Sequence, residues 1–267
     1  MRTRMQSTAT EPLQTCPVIG TPLAITDYTK AVAHVRAWAG ERTATRVVAA
    51  ANTHVVTLAR HDRSFGAALE KFDLVLPDGM PLVWVMNRAC NAGLSDRVYG
   101  PTFMLHCLEA TQNEFSHFFL GGSPELLEVL QQKLREKYPN LRIAGVYSPP
   151  FGEWPDDEDA RIIEKIAVSR ADFVWIGLGC PKQEIWIARN KSHLPVAIYA
   201  GVGAAFAFHA GLVRQAPLWI QSAGLEWLFR MLTEPRRLWR RYVKFNSLFL
   251  FYLLLDKLRG RQIRPRN

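Results

Sequence analysis

Asp172-Phe173-Val174-Trp175-Ile176-Gly177-Leu178-Gly179-Cys180-Pro181-Lys182-Gln183-Glu184 passes from an apolar strand through a glycine turn into the start of a helix. The same unit stands twice more: Phe118-Phe119-Leu120 leads into Gly121-Gly122-Ser123-Pro124, and Ile198-Tyr199-Ala200 into Gly201-Val202-Gly203-Ala204-Ala205-Phe206. Short apolar strands each followed by a helix predict a mainly parallel sheet covered on both faces, a Rossmann-like α/β fold. Working outward, strands are expected at residues 46–52, 73–76, 117–120, 141–147, 172–176 and 195–199, and helices at 53–60, 101–113, 124–138, 157–169 and 182–190.

In such a sheet the ligand crevice lies beyond the carboxyl ends of the strands. Glycines there let the backbone approach a ligand, and the free N–H groups of a helix start favour phosphate oxygens, so Gly177, Gly179, Gly201 and Gly203 suggest a nucleotide or diphosphate. Close helix–sheet packing also uses glycine and is the alternative account. Neither Gly-x-Gly-x-x-Gly after the first strand nor Gly-x-x-x-x-Gly-Lys-Ser/Thr is present, which argues against a dinucleotide oxidoreductase and a P-loop NTPase. Asp78, between Pro77 and Gly79 at a strand end, is the candidate base for an attacking hydroxyl, or else a helix-entry cap before Pro81. Asn52 at the neighbouring strand end can bind a sugar hydroxyl, hold Asp78, or serve only the turn. Gln183 and Glu184 in a first helical turn can reach back to the crevice or cap the helix.

With 267 residues, 48% apolar and 21% charged, the chain can bury a substantial core. It is read as a flexible leader at 1–17, an α/β domain at 18–217 and a helical appendage at 218–267. The leader carries Arg2 and Arg4 but no apolar stretch, unlike an export signal. Cys16, Cys90, Cys107 and Cys180 are scattered, without Cys-x-x-Cys or zinc spacing, which predicts reduced thiols in the cytosol.

Residues 230–267 hold eleven Lys or Arg against Glu234 and Asp256, a surplus equal to the net charge of +9 of the whole chain. The body is therefore neutral and the basicity local. Ser222 is expected to cap one helix and Pro235 to open another, in which Leu238, Tyr242, Phe245, Phe249 and Tyr252 recur at helical spacing beside Arg237, Arg240, Arg241 and Lys244. The apolar run 248–255 makes about 12 Å of helix against about 30 Å of hydrocarbon, too short to span a bilayer. Lying in an anionic membrane interface, with the aromatics at headgroup depth, is the expected role of this helix. A packed helix with a solvated basic face and a nucleic-acid tail are the alternatives. The body offers no reading helix or aromatic platform, so no nucleic-acid partner is expected.

Leu76-Pro77-Asp78-Gly79-Met80, the Gly177–Glu184 and Gly201–Phe206 blocks, and Arg214-Gln215-Ala216-Pro217 through Gly224-Leu225-Glu226-Trp227 to Glu234-Pro235-Arg236-Arg237 resemble the WecG/TagA/CpsF glycosyltransferases, over roughly residues 20–245. The resemblance implies an inverting transferase with no cofactor and no bound metal, moving a sugar from a UDP-sugar to a saccharide on undecaprenyl diphosphate in surface or extracellular polysaccharide synthesis. It implies a Rossmann-like domain with an appendage meeting the membrane, peripheral on its cytoplasmic face. By the same resemblance Asp78 is the base, Asn52 and Gln183 lie near the sugars, Arg97 contacts substrate, and Arg230, Arg237 and Arg240 fold over the diphosphate. Relatives often carry Thr where this chain has Ala50, which bears on sugar identity. Asp157-Glu158-Asp159 mimics a metal-binding Asp-x-Asp but is expected to serve a helix dipole. A homo-oligomer is left open, and a non-catalytic nucleotide-binding protein at the membrane is the competing reading.

Overall fold

The computed structural model describes residues 12–260 and 265, apart from the side chain of Arg237. The chain opens with an antiparallel hairpin of β1 (Thr15–Val18) and β2 (Thr21–Ala24), then α1 (Tyr28–Glu41), capped by Asp27, whose carboxylate accepts the Lys30 N–H at 2.8 Å. β3 (Arg46–Ala51), α2 (Thr53–His61) and α3 (Arg63–Leu69) lead to β4 (Leu74–Pro77) and α4 (Met80–Cys90). Next come α5 (Gly100–Thr111), β5 (Ser116–Leu120), α6 (Pro124–Lys137), β6 (Arg142–Tyr147), α7 (Glu158–Ser169), β7 (Phe173–Ile176), α8 (Lys182–Asn190), β8 (Ile198–Gly201) and α9 (Ala205–His209). The C-terminal end is α10 (Leu218–Ser222), α11 (Glu226–Thr233) and α12 (Pro235–Leu258).

Six strands form one parallel sheet in the order β4-β3-β8-β7-β5-β6. Its central strands are buried on both faces, as their continuous apolar runs require: Phe173 to Ile176 and Ile198 to Gly201 are buried throughout. The chain leaves β3 toward β4 at one edge but reaches β8 from β7 on the other side, so the strand order reverses between β3 and β8, where a crevice opens. Leu120, Ile176 and Gly201 stand in one register row, which brings the three glycine turns to one level.

The hairpin corrects the expected leader boundary, because β1 starts at Thr15, inside residues 1–17. Residues 1–11 of that leader, and residues 261–264, 266 and 267 of the basic end, lie outside the described residues. The expectation of four reduced thiols is also corrected. Cys16 of β1 and Cys90 at the end of α4 form a disulfide across 74 residues, because the hairpin lies against α4; Cys107 and Cys180 are free. Spacing alone gave no sign of that pair.

The C-terminal helix reverses the expected orientation of its aromatic stripe. Leu238 and Phe249 are 1% and 4% exposed, and the stripe packs on α2: His54 meets the Phe245 ring edge-on at 4.4 Å, and His61 Nδ1 lies 3.0 Å from Tyr252 Oη. Arg60 bonds Asp256 at 3.0 Å beside them. The outward face is apolar as well, with Trp239, Val243, Leu250, Leu254 and Leu258 exposed between Arg236, Arg240, Lys244 and Lys257. No described helix is long and apolar enough to cross a membrane. Ser222 does not cap the next helix; it ends α10 and its hydroxyl donates to the Trp219 carbonyl, while Leu225 precedes α11. Pro235 opens α12 as expected.

Candidate active site

The crevice at the strand ends has a volume of about 500 Å³, within the range of small-ligand sites. It brings together Asn52, Asp78, Arg97, Gly177, Gly179, Gln183, Glu184, Gly203 and Arg230. Gly201 is set back behind the Gln183 side chain, and Arg240 lies outside the crevice, exposed, with its guanidinium over Trp239. Arg237 is on α12 and its side chain lies outside the described residues.

Asp78 follows β4, held by its backbone N–H to the Ala51 carbonyl at 2.8 Å. It does not cap α4: Gly79 occupies that position and no side chain bonds the helix start. Burial in the crevice wall pushes its carboxyl up to about 7, opposed by the nearby Arg97 cation, assisted by Glu226, and opposed again by the Gly100 N–H and Arg230. A carboxyl at that level exchanges protons near neutral pH, as a general base must. Gly100 has to be glycine for this contact, since a Cβ there would stand 2.9 Å from the Ala50 methyl and 3.5 Å from Asp78 Oδ2.

Of the three roles weighed for Asn52, the structure shows the one at the turn. Its Oδ1 accepts the His54 and Val55 N–H groups at 3.0 and 3.3 Å, capping α2, which leaves the amide NH2 for a ligand. Gln183 is nearly fully buried, and its Oε1 accepts the N–H of both Gly179 and Gly203 at 3.2 Å, tying the loops after β7 and β8 together. Gly177 serves packing, for a Cβ would stand 2.7 Å from the Phe206 ring, whereas Gly179 and Gly203 take positive φ with open space before them.

Glu184 is fully buried beside Gln183, whose Nε2 donates to its Oε1 at 2.8 Å, and the Cys180 thiol lies against the same carboxyl. Burial pushes this carboxyl above its ordinary value, opposed by the hydrogen bond from Gln183. His54, nearby, is lowered to about 4 by burial and by Arg241, and is a neutral imidazole.

Two cations of the C-terminal helices enter the crevice. Arg230 of α11 lies over the Phe208 ring at 5.4 Å, and Arg241 of α12 also lines the crevice; among the described residues the Nε of each is buried without a hydrogen-bond partner. A buried unpaired guanidinium nitrogen is costly unless an anion fills it, so both positions suit phosphate oxygens. Arg241 replaces Arg240 in the expected set: one residue along a helix turns the side chain by about 100°, and the buried Leu238 and Phe249 fix which arginine faces inward. In a detergent-soluble assay Arg241→Ala should raise KM for the anionic substrate roughly tenfold or more, from loss of one charge-assisted contact, whereas Arg240→Ala should stay within about twofold. Equal effects in steady-state kinetics would contradict this placement.

Asp157, Glu158 and Asp159 are engaged elsewhere: Asp157 pairs with Arg161 at 2.7 Å, Glu158 accepts Tyr147 Oη at 2.9 Å, and Asp159 pairs with Arg189. Among the described residues no group of three His, Cys, Asp or Glu side chains is arranged to hold a metal ion. Sequence reasoning assigned no role to Tyr99, His54 or Glu226. Glu226 had one visible signal, its place four residues before Arg230 on the same helical face.

A crevice at a strand-order reversal that holds a neutral-range carboxyl and arginines of the C-terminal helices has the groups that transfer from a nucleotide sugar requires. The chain belongs to the glycosyl transferase WecG/TagA/CpsF family, whose model matches residues 16–263. It is 28% identical, over 86% of its length and 87% of the relative, to an N-acetylglucosaminyldiphosphoundecaprenol N-acetyl-beta-D-mannosaminyltransferase of Bacillus spizizenii. Proteins of the same name from Bacillus subtilis and Staphylococcus aureus are 29% and 26% identical, covering 79% and 82% of this chain and 80% and 83% of their own.

Proposed function

We propose that this protein moves a sugar from a UDP-sugar to a saccharide carried on undecaprenyl diphosphate, with inversion, at the cytoplasmic face of a membrane where a surface or extracellular polysaccharide is assembled. The observation that carries the reading is Asp78 in the same crevice as two guanidinium groups of the C-terminal helices, Arg230 and Arg241. The acceptor hydroxyl attacks C1 of the donor, its proton passes to Asp78, and the bond from C1 to the phosphate oxygen breaks with its electrons leaving on UDP. Charge then grows on the diphosphate, and a guanidinium, which holds two phosphate oxygens at once, neutralises it. A single displacement of an α-linked nucleotide sugar gives a β product, the stereochemistry in the relatives' names.

Those names favour an N-acetylglucosamine-capped lipid as acceptor and N-acetylmannosamine as the first donor to test. Ala50 lines the crevice beside Asp78 and offers no hydroxyl, so the sugar itself is best chosen by screening. The outward face of α12 suits the membrane: apolar side chains enter the headgroup boundary and each nearby basic group adds about 1 kcal/mol on an anionic leaflet. The test is a panel of UDP-sugars with a short-chain lipid diphosphate sugar, reading released UDP and the linkage formed. One donor should release UDP only when acceptor is present and give an inverted linkage. Acceptor-independent release from every donor, or retention at C1, would overturn the reading.

A further inference from the structure

Arg97 stands between two carboxylates and bonds only one. Its guanidinium, 7% exposed, donates through Nη2 to Glu226 and, at 3.0 Å, to Gln221 Oε1, and stacks over the Tyr99 ring at 4.2 Å. Among the described residues no hydrogen bond joins it to Asp78, although its charge is close enough to act on that carboxyl. Glu226 is itself buried and doubly held, because Oε1 accepts the Tyr99 hydroxyl at 2.8 Å. It sits in the first turn of α11, one turn before Arg230, so the contact that occupies Arg97 also seats the arginine that faces the crevice.

We propose that Glu226 is a positioning residue for transfer: by engaging Arg97 it keeps that cation from pairing with Asp78, and so leaves the Asp78 carboxylate free to take the acceptor proton. This rests on the reading of Asp78 as the base. An Arg in direct contact with a carboxylate holds it one to three pH units lower, roughly, and makes it a poor proton acceptor. The groups facing Asp78 are few: Tyr28 from α1, Arg97 and Tyr99 with the Gly100 N–H from the segment entering α5, and Glu226 and Arg230 from α11. Only Arg97 and Arg230 are cations, and Glu226 bonds the first of them.

Glu226→Gln keeps the shape of the contact and removes its charge. Of the two carboxylates that act on the Arg97 side chain, Asp78 is then the one left charged, and the acid limb of kcat/KM against pH should move down by about one unit or more from its position near 7. Well below the limb, that is about a tenfold gain relative to the plateau of the same variant. A 13C-carboxyl titration of Asp78 in the full-length free protein should move by the same amount, and it needs no turnover. Tyr99→Phe removes a hydrogen bond to Glu226 and no charge, so its limb should coincide with that of the parent. An unmoved Asp78 titration in Glu226→Gln, or an equal shift in Tyr99→Phe, overturns the proposal. Should Glu226→Gln not fold, Arg97→Gln puts the question from the other side: with the cation gone the Asp78 midpoint must rise, and an unchanged midpoint overturns the proposal too. If Asp78→Asn still transfers sugar, the base assignment falls, whatever these titrations give.

Discussion

Asp78→Asn is expected to lower the single-turnover transfer rate by about 10²–10⁴-fold, the range for loss of a general base, while UDP affinity by calorimetry stays within a few-fold. Asn keeps the shape of the side chain and cannot take the proton, and the glycine turns and appendage arginines are untouched. The same substitution should stabilise the protein. The Asp78 carboxyl lies near 7 in the folded chain against an ordinary value of 3.8, so between these values the folded state binds more protons than the unfolded one and stability falls as pH rises. At about 1.4 kcal/mol per unit, ionised Asp78 costs the fold a few kcal/mol at pH 8. Thermal melts should show Asp78→Asn above the parent at pH 8, with the gap closing toward pH 4. Unaltered turnover removes Asp78 from the mechanism, and a lower melt at pH 8 removes the burial argument.

Deletion of residues 224–267 should abolish transfer and, contrary to what a detachable tail implies, destabilise the rest. Leu238 and Phe249 are core residues, and exposing the surface they cover forfeits roughly 1.5–3 kcal/mol for each. Against a total of about 5–15 kcal/mol that is a large loss. Glu226 leaves as well, and Arg97 is then a buried cation without its bonded carboxylate. The separable part is the outer face. Leu250, Leu254 and Leu258 changed together to Ser should leave the melting temperature nearly unchanged and weaken sedimentation with anionic vesicles. A deletion variant that melts with the parent, or a triple variant that still sediments fully, would refute this division of labour.

The sheet and its site-bearing turns were legible because burial on both faces writes strands as uninterrupted apolar runs; the expected strand at 172–176 and the observed Phe173–Ile176 differ by one residue. The place of Asp78 and of the glycine loops in the crevice followed, since strand ends fix where a crevice lies. What was not legible depended on rotation and on distant contact. Period alone finds an apolar stripe on α12 but does not choose between two faces when both are apolar, and so does not tell which of Arg240 and Arg241 turns inward. The hairpin strands are four residues each, and one contains Pro17, too brief for a pattern. Cys16 and Cys90 meet only because that hairpin folds back on α4.

Gln183 carries a consequence of its own. One amide oxygen sets the resting place of two loops that leave different strands, at Gly179 and Gly203. The loops share a tether, so a ligand that draws one N–H away loosens the anchor of the other. Substitutions at 179, 183 and 203 should therefore fail to add, each spending the same connection.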